Sequence, residues 1–136
     1  DAYAAADIVL CRAGGSTLAE VTATGLPSLL VPYPHAADDH QSRNAEVLSR
    51  AGAAAVLHQP DLTPRCLRRV ISEMVQDADM RKRMAERAAA IGEPEAAWNV
   101  AHVLARLAGF ETRADGQKTT PESLTSTSGN SLSKAA

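Results

Sequence analysis

The sequence predicts an α/β protein built on a partial doubly wound, Rossmann-like parallel sheet. Three short apolar runs, at residues 7–11, 28–31 and 53–57, have the length and composition of buried strands. Each run is followed by a loop and then by a segment whose apolar residues recur at helical spacing. Strands that alternate with helices are joined by crossover connections, which bring the strands together in parallel.

The first strand and helix flank a turn that contains two glycines. Residues 2–6 are predicted to end a helix, residues 7–11 to form a buried strand, and residues 16–24 to form the first complete helix. Gly25 suits the left-handed position that ends many helices. The residues at helical spacing, which should face the core, are Leu18, Val21 and Thr22.

The second strand and helix repeat this order. Residues 28–31 form the predicted strand, residues 39–50 the helix, and Gly52 ends it before the third strand at residues 53–57. The predicted apolar face of this helix consists of Ala45, Val47 and Leu48.

Three more helices are predicted after the third strand. Thr63 is a good cap for the first of them and Pro64 a good first residue, and its apolar face comprises Leu67, Val70, Ile71, Met74 and Val75. Helices follow at about residues 80–90 and 94–108. The last helix should turn the following residues inward: Ala97, Val100, Ala101, Leu104 and Leu107.

Composition divides the chain into two regions. Residues 1–110 are predicted to form one α/β domain, whereas residues 111–136 are rich in Ser and Thr and nearly devoid of large apolar side chains. Such a tail buries too little surface to offset its conformational entropy and is predicted to be disordered. The chain starts without Met and inside a predicted helix, so we interpret residues 1–110 as a domain that is incomplete at its N-terminal side.

Charge and cysteine content narrow the function classes. A net charge of −2 and 3% aromatic residues do not favour a nucleic-acid surface. Cys11 and Cys66 match no metal-binding pattern, which favours a reduced, cytoplasmic setting. No apolar run has the length needed to span a bilayer.

The turn after the first strand is the first candidate site. Gly14 and Gly15 let a ligand approach the main chain, and the helix that begins near Ser16 and Thr17 offers free N–H groups and a positive dipole end to an anion. Glu20 lies about one turn further on, where it can reach past a bound phosphate. Alternatively, the two glycines form an ordinary tight turn, and Glu20 is a solvated carboxylate on the helix surface.

A polar loop after the second strand should lie at the same edge of the sheet, where open α/β sheets bind ligands. It contains His35, His40, Gln41 and Asn44. The amides can serve sugar hydroxyls or only satisfy loop backbone groups. His35, Asp38, Asp39 and His40 are residue types that bind zinc, but they lack a fixed ligand spacing. A triad of Ser16, His40 and Asp38 would lack the GxSxG elbow.

These motifs together resemble the donor-binding half of the MurG-type peptidoglycan glycosyltransferases, members of glycosyltransferase family 28. The resemblance rests on residues 12–20 (RAGGSTLAE), 25–27, 31–32, 35–45 and 51–54, and extends over residues 1–110. It implies the C-terminal half of a two-domain GT-B fold, which holds UDP-N-acetylglucosamine, while the other half holds a lipid-linked acceptor.

The resemblance also implies roles for individual residues. Gly14, Gly15, Ser16 and Thr17 would hold the diphosphate, and Glu20 would accept from the two ribose hydroxyls. His40 and Gln41 would contact the sugar or diphosphate, with Arg12, His35 and Asn44 as secondary candidates. No catalytic residue is expected in this chain, because the family's base lies in the other domain. No metal and no cofactor are expected.

The activity implied is inverting transfer of N-acetylglucosamine to the C4 hydroxyl of lipid I, which makes lipid II for peptidoglycan. The full-length protein would be cytoplasmic and peripheral on the inner face of the cell membrane, which it would reach through the other domain. Two alternatives stay open: a nucleotide-sugar-binding subunit of a split, two-chain transferase, and a related transferase with another lipid or aglycone acceptor.

Overall fold

The computed structural model describes residues 2–109. Strands β1 (Val9–Cys11), β2 (Ser28–Leu30) and β3 (Ala54–Val56) form the sheet of this part. Its α-helices are α1 (Gly15–Thr24), α2 (His40–Arg50), α3 (Pro64–Gln76), α4 (Ala78–Ile91) and α5 (Ala96–Leu107). The predicted tail at residues 111–136 lies outside the described residues.

The sheet has the strand order β1-β2-β3, and both pairings are parallel. The pairing continues past the strand ends, since Val31 N donates to Cys11 O at 2.9 Å and Leu57 N donates to Leu30 O at 2.9 Å. The α/β fold with a parallel sheet is therefore confirmed. The strands end at one edge, and the loops before α1 and α2 begin there.

Successive residues of β2 point to opposite faces of the sheet, as a strand requires. Leu30 packs with Leu18 of α1 and Leu48 of α2 on one face. Leu29 packs with Met74 of α3 and Met84 of α4 on the other. Helices thus cover both faces, which is the doubly wound arrangement predicted from the sequence.

Helix ends follow the local chemistry of the sequence. Gly25 ends α1 with φ 62°, in the left-handed region. Thr63 caps α3 by accepting a hydrogen bond from Cys66 N at 3.2 Å, as predicted. Asp77 caps α4 in the same way, accepting from Met80 N at 2.7 Å.

Several predicted burial positions are wrong. Leu10 of the predicted buried strand is 48% exposed, because β1 pairs with β2 only within the described residues and lies at an edge of the sheet. Val47 and Val75 are also exposed, since each follows or precedes a buried helix position by one residue and so points about 100° away from it around the helix axis. Residues 3–5 form a short 3₁₀ helix rather than the end of an α-helix.

The described residues divide into two units, and the boundary lies between Ala97 and Trp98. Helix α5 belongs almost wholly to the second unit. Its predicted inward residues Val100, Leu104 and Leu107 are exposed, so this prediction is wrong. Helical periodicity identifies a face that can be buried, whereas burial also needs a packing partner. No helix within residues 2–109 is both long and apolar enough to cross a membrane.

Candidate functional site

The connection between β1 and α1 leaves amide groups open at the carboxyl edge of the sheet. Ala13 is fully buried and anchors the turn. Gly14 is the N-cap of α1 with φ −72°, and it has no side chain that could accept from the first turn. The first-turn N–H groups of an α-helix have no partner within the helix, so those of Gly15 and exposed Ser16 can bind a ligand at the positive end of the helix dipole.

Neither glycine in this turn is required by the fold. A Cβ on Gly15 would meet no heavy atom within 4 Å, and one on Gly14 would find its nearest neighbour, Thr17 Oγ1, at 3.9 Å. Neither glycine has a positive φ. Folding alone would therefore tolerate alanine at both positions, and the absence of side chains keeps the main chain accessible to a ligand.

Glu20 is exposed on α1, a little over one turn beyond Ser16. The 3₁₀ helix Tyr3–Ala5, which precedes β1, lies against α1. The neighbourhood of Glu20, through hydrogen bonding, raises the pKa of the Tyr3 hydroxyl above its ordinary value.

The loop before α2 has an unusual backbone. Asp38 and Asp39 both have positive φ values, 50° and 52°, and Asp39 is the N-cap of α2 without a capping bond from its side chain. His40 follows at the start of α2. Its ring nitrogen Nδ1 donates to Ala37 O at 2.7 Å, which leaves Nε2 available as an acceptor in the neutral ring.

Two amide side chains hold this loop in place. Gln41 Oε1 accepts from Tyr33 N at 3.0 Å, and its NH₂ group keeps donor capacity for a ligand. Asn44 Nδ2 donates to Ala13 O at 3.2 Å and so joins α2 to the turn before α1. The geometry therefore favours the bracing role that the sequence left open for Asn44.

Arg12 points across the edge of the sheet instead of toward the first turn of α1. Its Nη1 donates to Val31 O at 3.1 Å, to Pro32 O at 3.2 Å and to Gln59 Oε1 at 2.8 Å. The guanidinium also lies 5.6 Å from the centre of the Tyr33 ring. Arg12 thus ties together the loops that follow all three strands, a role that its position in the sequence does not reveal.

His35 also has a local partner, because its ring packs edge-on against Tyr33 at 5.6 Å between ring centres. Among residues 2–109, no group of three or more His, Cys, Asp or Glu is placed to hold a metal ion. Burial raises the pKa of the Cys11 thiol, so this group stays protonated at neutral pH. The geometry thus brings backbone amides and amide side chains together at one sheet edge.

A family model described as the glycosyltransferase family 28 C-terminal domain matches residues 1–100. Two relatives carry the name UDP-N-acetylglucosamine–N-acetylmuramyl-(pentapeptide) pyrophosphoryl-undecaprenol N-acetylglucosamine transferase. The protein from Shewanella woodyi is 50% identical over 79% of this chain and 30% of its own length. That from Anaeromyxobacter sp. strain K is 48% identical over 78% of this chain and 28% of its own length. The chain thus spans less than a third of either relative.

Solved structures agree with the fold. The crystal structure of MurG from Acinetobacter baumannii superposes with a TM-score of 0.69 at 34% identity, over 77% of this chain and 31% of that chain. The glycosyltransferase VinC in complex with dTDP superposes with a TM-score of 0.53 at 24% identity, over 74% of this chain and 25% of that chain. At that identity the second match supports the fold alone.

Proposed function

The chain belongs to the glycosyltransferase family 28 C-terminal domains, and on this premise we propose that it is the donor-binding part of an inverting N-acetylglucosaminyltransferase. The observation that carries the proposal is the uncapped start of α1, where Gly14 and Gly15 leave amide donors accessible without being needed by the fold. These donors suit the diphosphate of UDP-N-acetylglucosamine.

The reaction proposed is an attack by the acceptor hydroxyl on the anomeric carbon of the sugar. The bond from that carbon to the diphosphate breaks as the new glycosidic bond forms, and UDP leaves with the bonding electron pair. Negative charge grows on the diphosphate during this step, and fixed dipoles stabilise it more in the transition state than in the ground state. The amides of Gly15, Ser16 and Thr17 supply those dipoles.

The other side chains would orient the donor. Glu20 would accept from the two ribose hydroxyls, because an ionised carboxylate has two acceptor oxygens. Gln41 would use its amide nitrogen, and His40 its Nε2, toward the sugar or the diphosphate. Arg12, His35 and Asn44 would act indirectly, since each has a partner within the loops that line the edge.

The acceptor and the base that takes its proton would come from outside this chain. The support is that the relatives are named for a polyprenyl-linked acceptor, whereas this chain covers 30% and 28% of the two compared. The complete transferase would work at the cytoplasmic face of the membrane, where a water-soluble nucleotide sugar meets a lipid-linked acceptor.

The direct test is a calorimetric titration of the chain with UDP-N-acetylglucosamine, UDP and free N-acetylglucosamine, each with and without EDTA. We expect the two nucleotides to bind, the free sugar to fail, and EDTA to change nothing. With a soluble lipid I analogue, the chain alone should release no UDP above background. Absence of nucleotide binding, a loss with EDTA that zinc or magnesium restores, or acceptor-dependent turnover would each contradict the proposal.

A further inference from the structure

The peptide group that joins Pro32 to Tyr33 is held at both of its polar atoms. Its carbonyl oxygen, Pro32 O, accepts from Arg12 Nη1 at 3.2 Å. Its N–H group, on Tyr33, donates to Gln41 Oε1 at 3.0 Å. A trans peptide group is planar, and its carbonyl and N–H point in opposite directions. Arg12 and Gln41 therefore contact opposite sides of one rigid group.

Arg12 restrains this peptide group through further contacts. The same Nη1 atom donates to Val31 O at 3.1 Å and to Gln59 Oε1 at 2.8 Å, beyond β3. The guanidinium carbon lies 5.6 Å from the centre of the Tyr33 ring, within the range of a cation–π contact. Val31 and Pro32 are buried, so the backbone that Arg12 holds is also fixed by packing.

The contact with Tyr33 determines which way the amide of Gln41 faces. A backbone N–H can only donate, so the Gln41 atom that meets it is the carbonyl oxygen. The amide nitrogen lies on the other branch of the side chain and keeps its capacity to donate. Gln41 is the second residue of α2 and is partly buried at the carboxyl edge of the sheet.

The guanidinium of Arg12 should strengthen the bond between Tyr33 and Gln41. Hydrogen bonds in a chain polarise one another, so a cation at the Pro32 carbonyl makes the N–H of the same peptide group a better donor. Loss of the cation should leave the amide of Gln41 less firmly oriented. Ordering a free side chain on ligand binding is entropically costly, and an amide that is oriented in advance avoids part of this cost.

We propose that Arg12 is a positioning residue that acts through the Pro32–Tyr33 peptide group and holds the amide nitrogen of Gln41 toward the sugar of the nucleotide donor. This inference rests on the proposed function, because it takes Gln41 as a contact of the sugar. It gives Arg12 a role in binding the sugar and none in binding the diphosphate. A ligand without the sugar, UDP, therefore separates this role from a direct contact between Arg12 and the diphosphate.

The test uses the complete transferase as wild type, Arg12→Met, Gln41→Ala and the double variant, with dissociation constants for UDP-N-acetylglucosamine and UDP measured by calorimetry. Arg12→Met removes the guanidinium and keeps an apolar stem. It should weaken UDP-N-acetylglucosamine about three- to tenfold, as the loss of one hydrogen bond would, and UDP less than about twofold. In the Gln41→Ala background it should have little further effect, since the two residues act as one unit.

Two further variants are matched controls. Gln41→Glu keeps an oxygen that accepts from Tyr33 N but replaces the amide nitrogen, so it should bind UDP-N-acetylglucosamine more weakly than wild type. Arg68→Met removes an exposed arginine of α3, outside the proposed site, and should change neither dissociation constant. A loss of folded protein weakens both ligands alike, so the ratio of the two constants reports the positioning role even if a variant has a lower melting temperature.

The outcomes distinguish the two proposals. If Arg12→Met weakens UDP as much as UDP-N-acetylglucosamine, weakens neither, or adds its full effect to that of Gln41→Ala, the positioning role is wrong while the donor site stands. If Gln41→Ala or Gln41→Glu binds UDP-N-acetylglucosamine like wild type, the amide nitrogen does not bind the sugar and the inference is also wrong. If the wild-type protein does not bind UDP, the proposed function fails and this inference falls with it.

Discussion

Two of the connections that lead from a parallel strand into an α-helix differ in how the first turn of the helix is satisfied. Between β3 and α3, Thr63 accepts from Cys66 N and satisfies part of the helix start. Between β1 and α1, Gly14 has no side chain to do so. Since free helix amides are normally capped by a side chain, water or a ligand, an uncapped start at the carboxyl edge of the sheet is the one to associate with ligand binding.

The strongest test of this difference is to give α1 the kind of cap that α3 has. Gly14→Asp should change the free energy of unfolding by only a few tenths of a kcal/mol, since Gly and Asp are both accepted as N-caps. Its carboxylate would occupy the amides and repel the diphosphate, and like charges in contact cost several kcal/mol, so UDP affinity should fall by at least about 100-fold.

The uncharged variant Gly14→Asn is the matched control, because asparagine caps a helix about as well as aspartate. It should weaken UDP binding less than Gly14→Asp, and the difference measures the charge contribution. Calorimetry gives the affinities and urea denaturation the stabilities. If Gly14→Asp binds UDP with wild-type affinity, the diphosphate does not bind at this turn.

Glu20 of α1 and Glu73 of α3 provide the next comparison. Glu20→Gln on α1 should weaken donor binding by about one to two orders of magnitude, because a hydrogen bond to a charged group contributes about 1.5–3 kcal/mol. On α3, Glu73 forms an exposed ion pair with Arg69 at 2.9 Å. Glu73→Gln should leave donor binding unchanged and alter stability by less than about 0.5 kcal/mol.

A dideoxyribose donor analogue decides what Glu20 binds. We expect the analogue to bind the wild-type protein poorly. Glu20→Gln should then lower the affinity for the analogue very little further. Equal losses for the natural donor and the analogue would show that Glu20 acts elsewhere.

For the connection between β3 and α3, we expect a substitution to lower stability without lowering the affinity for UDP. Thr63→Ala removes the acceptor of Cys66 N and should lower the free energy of unfolding by about 1 kcal/mol. UDP affinity should stay within about twofold of wild type, because α3 is not part of the proposed site. Thr63→Ser keeps the hydroxyl and should restore most of the stability. An affinity loss in Thr63→Ala at full folding would mean that the two connections are not functionally distinct.

The sequence predicted the fold better than it predicted the contacts within the site. The alternation of strands and helices, the caps at Gly25 and Thr63, and the doubly wound arrangement all follow from local residue chemistry and periodicity. Arg12 shows the limit, since its partners lie 19, 20 and 47 residues away in sequence. Leu10 shows a second limit. Its position in an apolar run predicts a strand, but the run does not indicate whether neighbouring elements cover the side chain.

The connection between β2 and α2 is the site of the smallest expected effect. It is uncapped like α1, yet Asp38 and Asp39 hold left-handed backbone angles that favour glycine. Asp39→Gly would relieve the steric cost of Cβ but increase the entropy of the unfolded chain, so the net change in stability should stay within about 1 kcal/mol. Asp39→Ala keeps Cβ but lacks the short polar side chain with which aspartate tolerates this region, and it should be the less stable of the two variants. Urea denaturation of both variants measures the difference. If the alanine variant equals or exceeds the glycine variant in stability, the left-handed conformation at Asp39 is not a constraint on this loop.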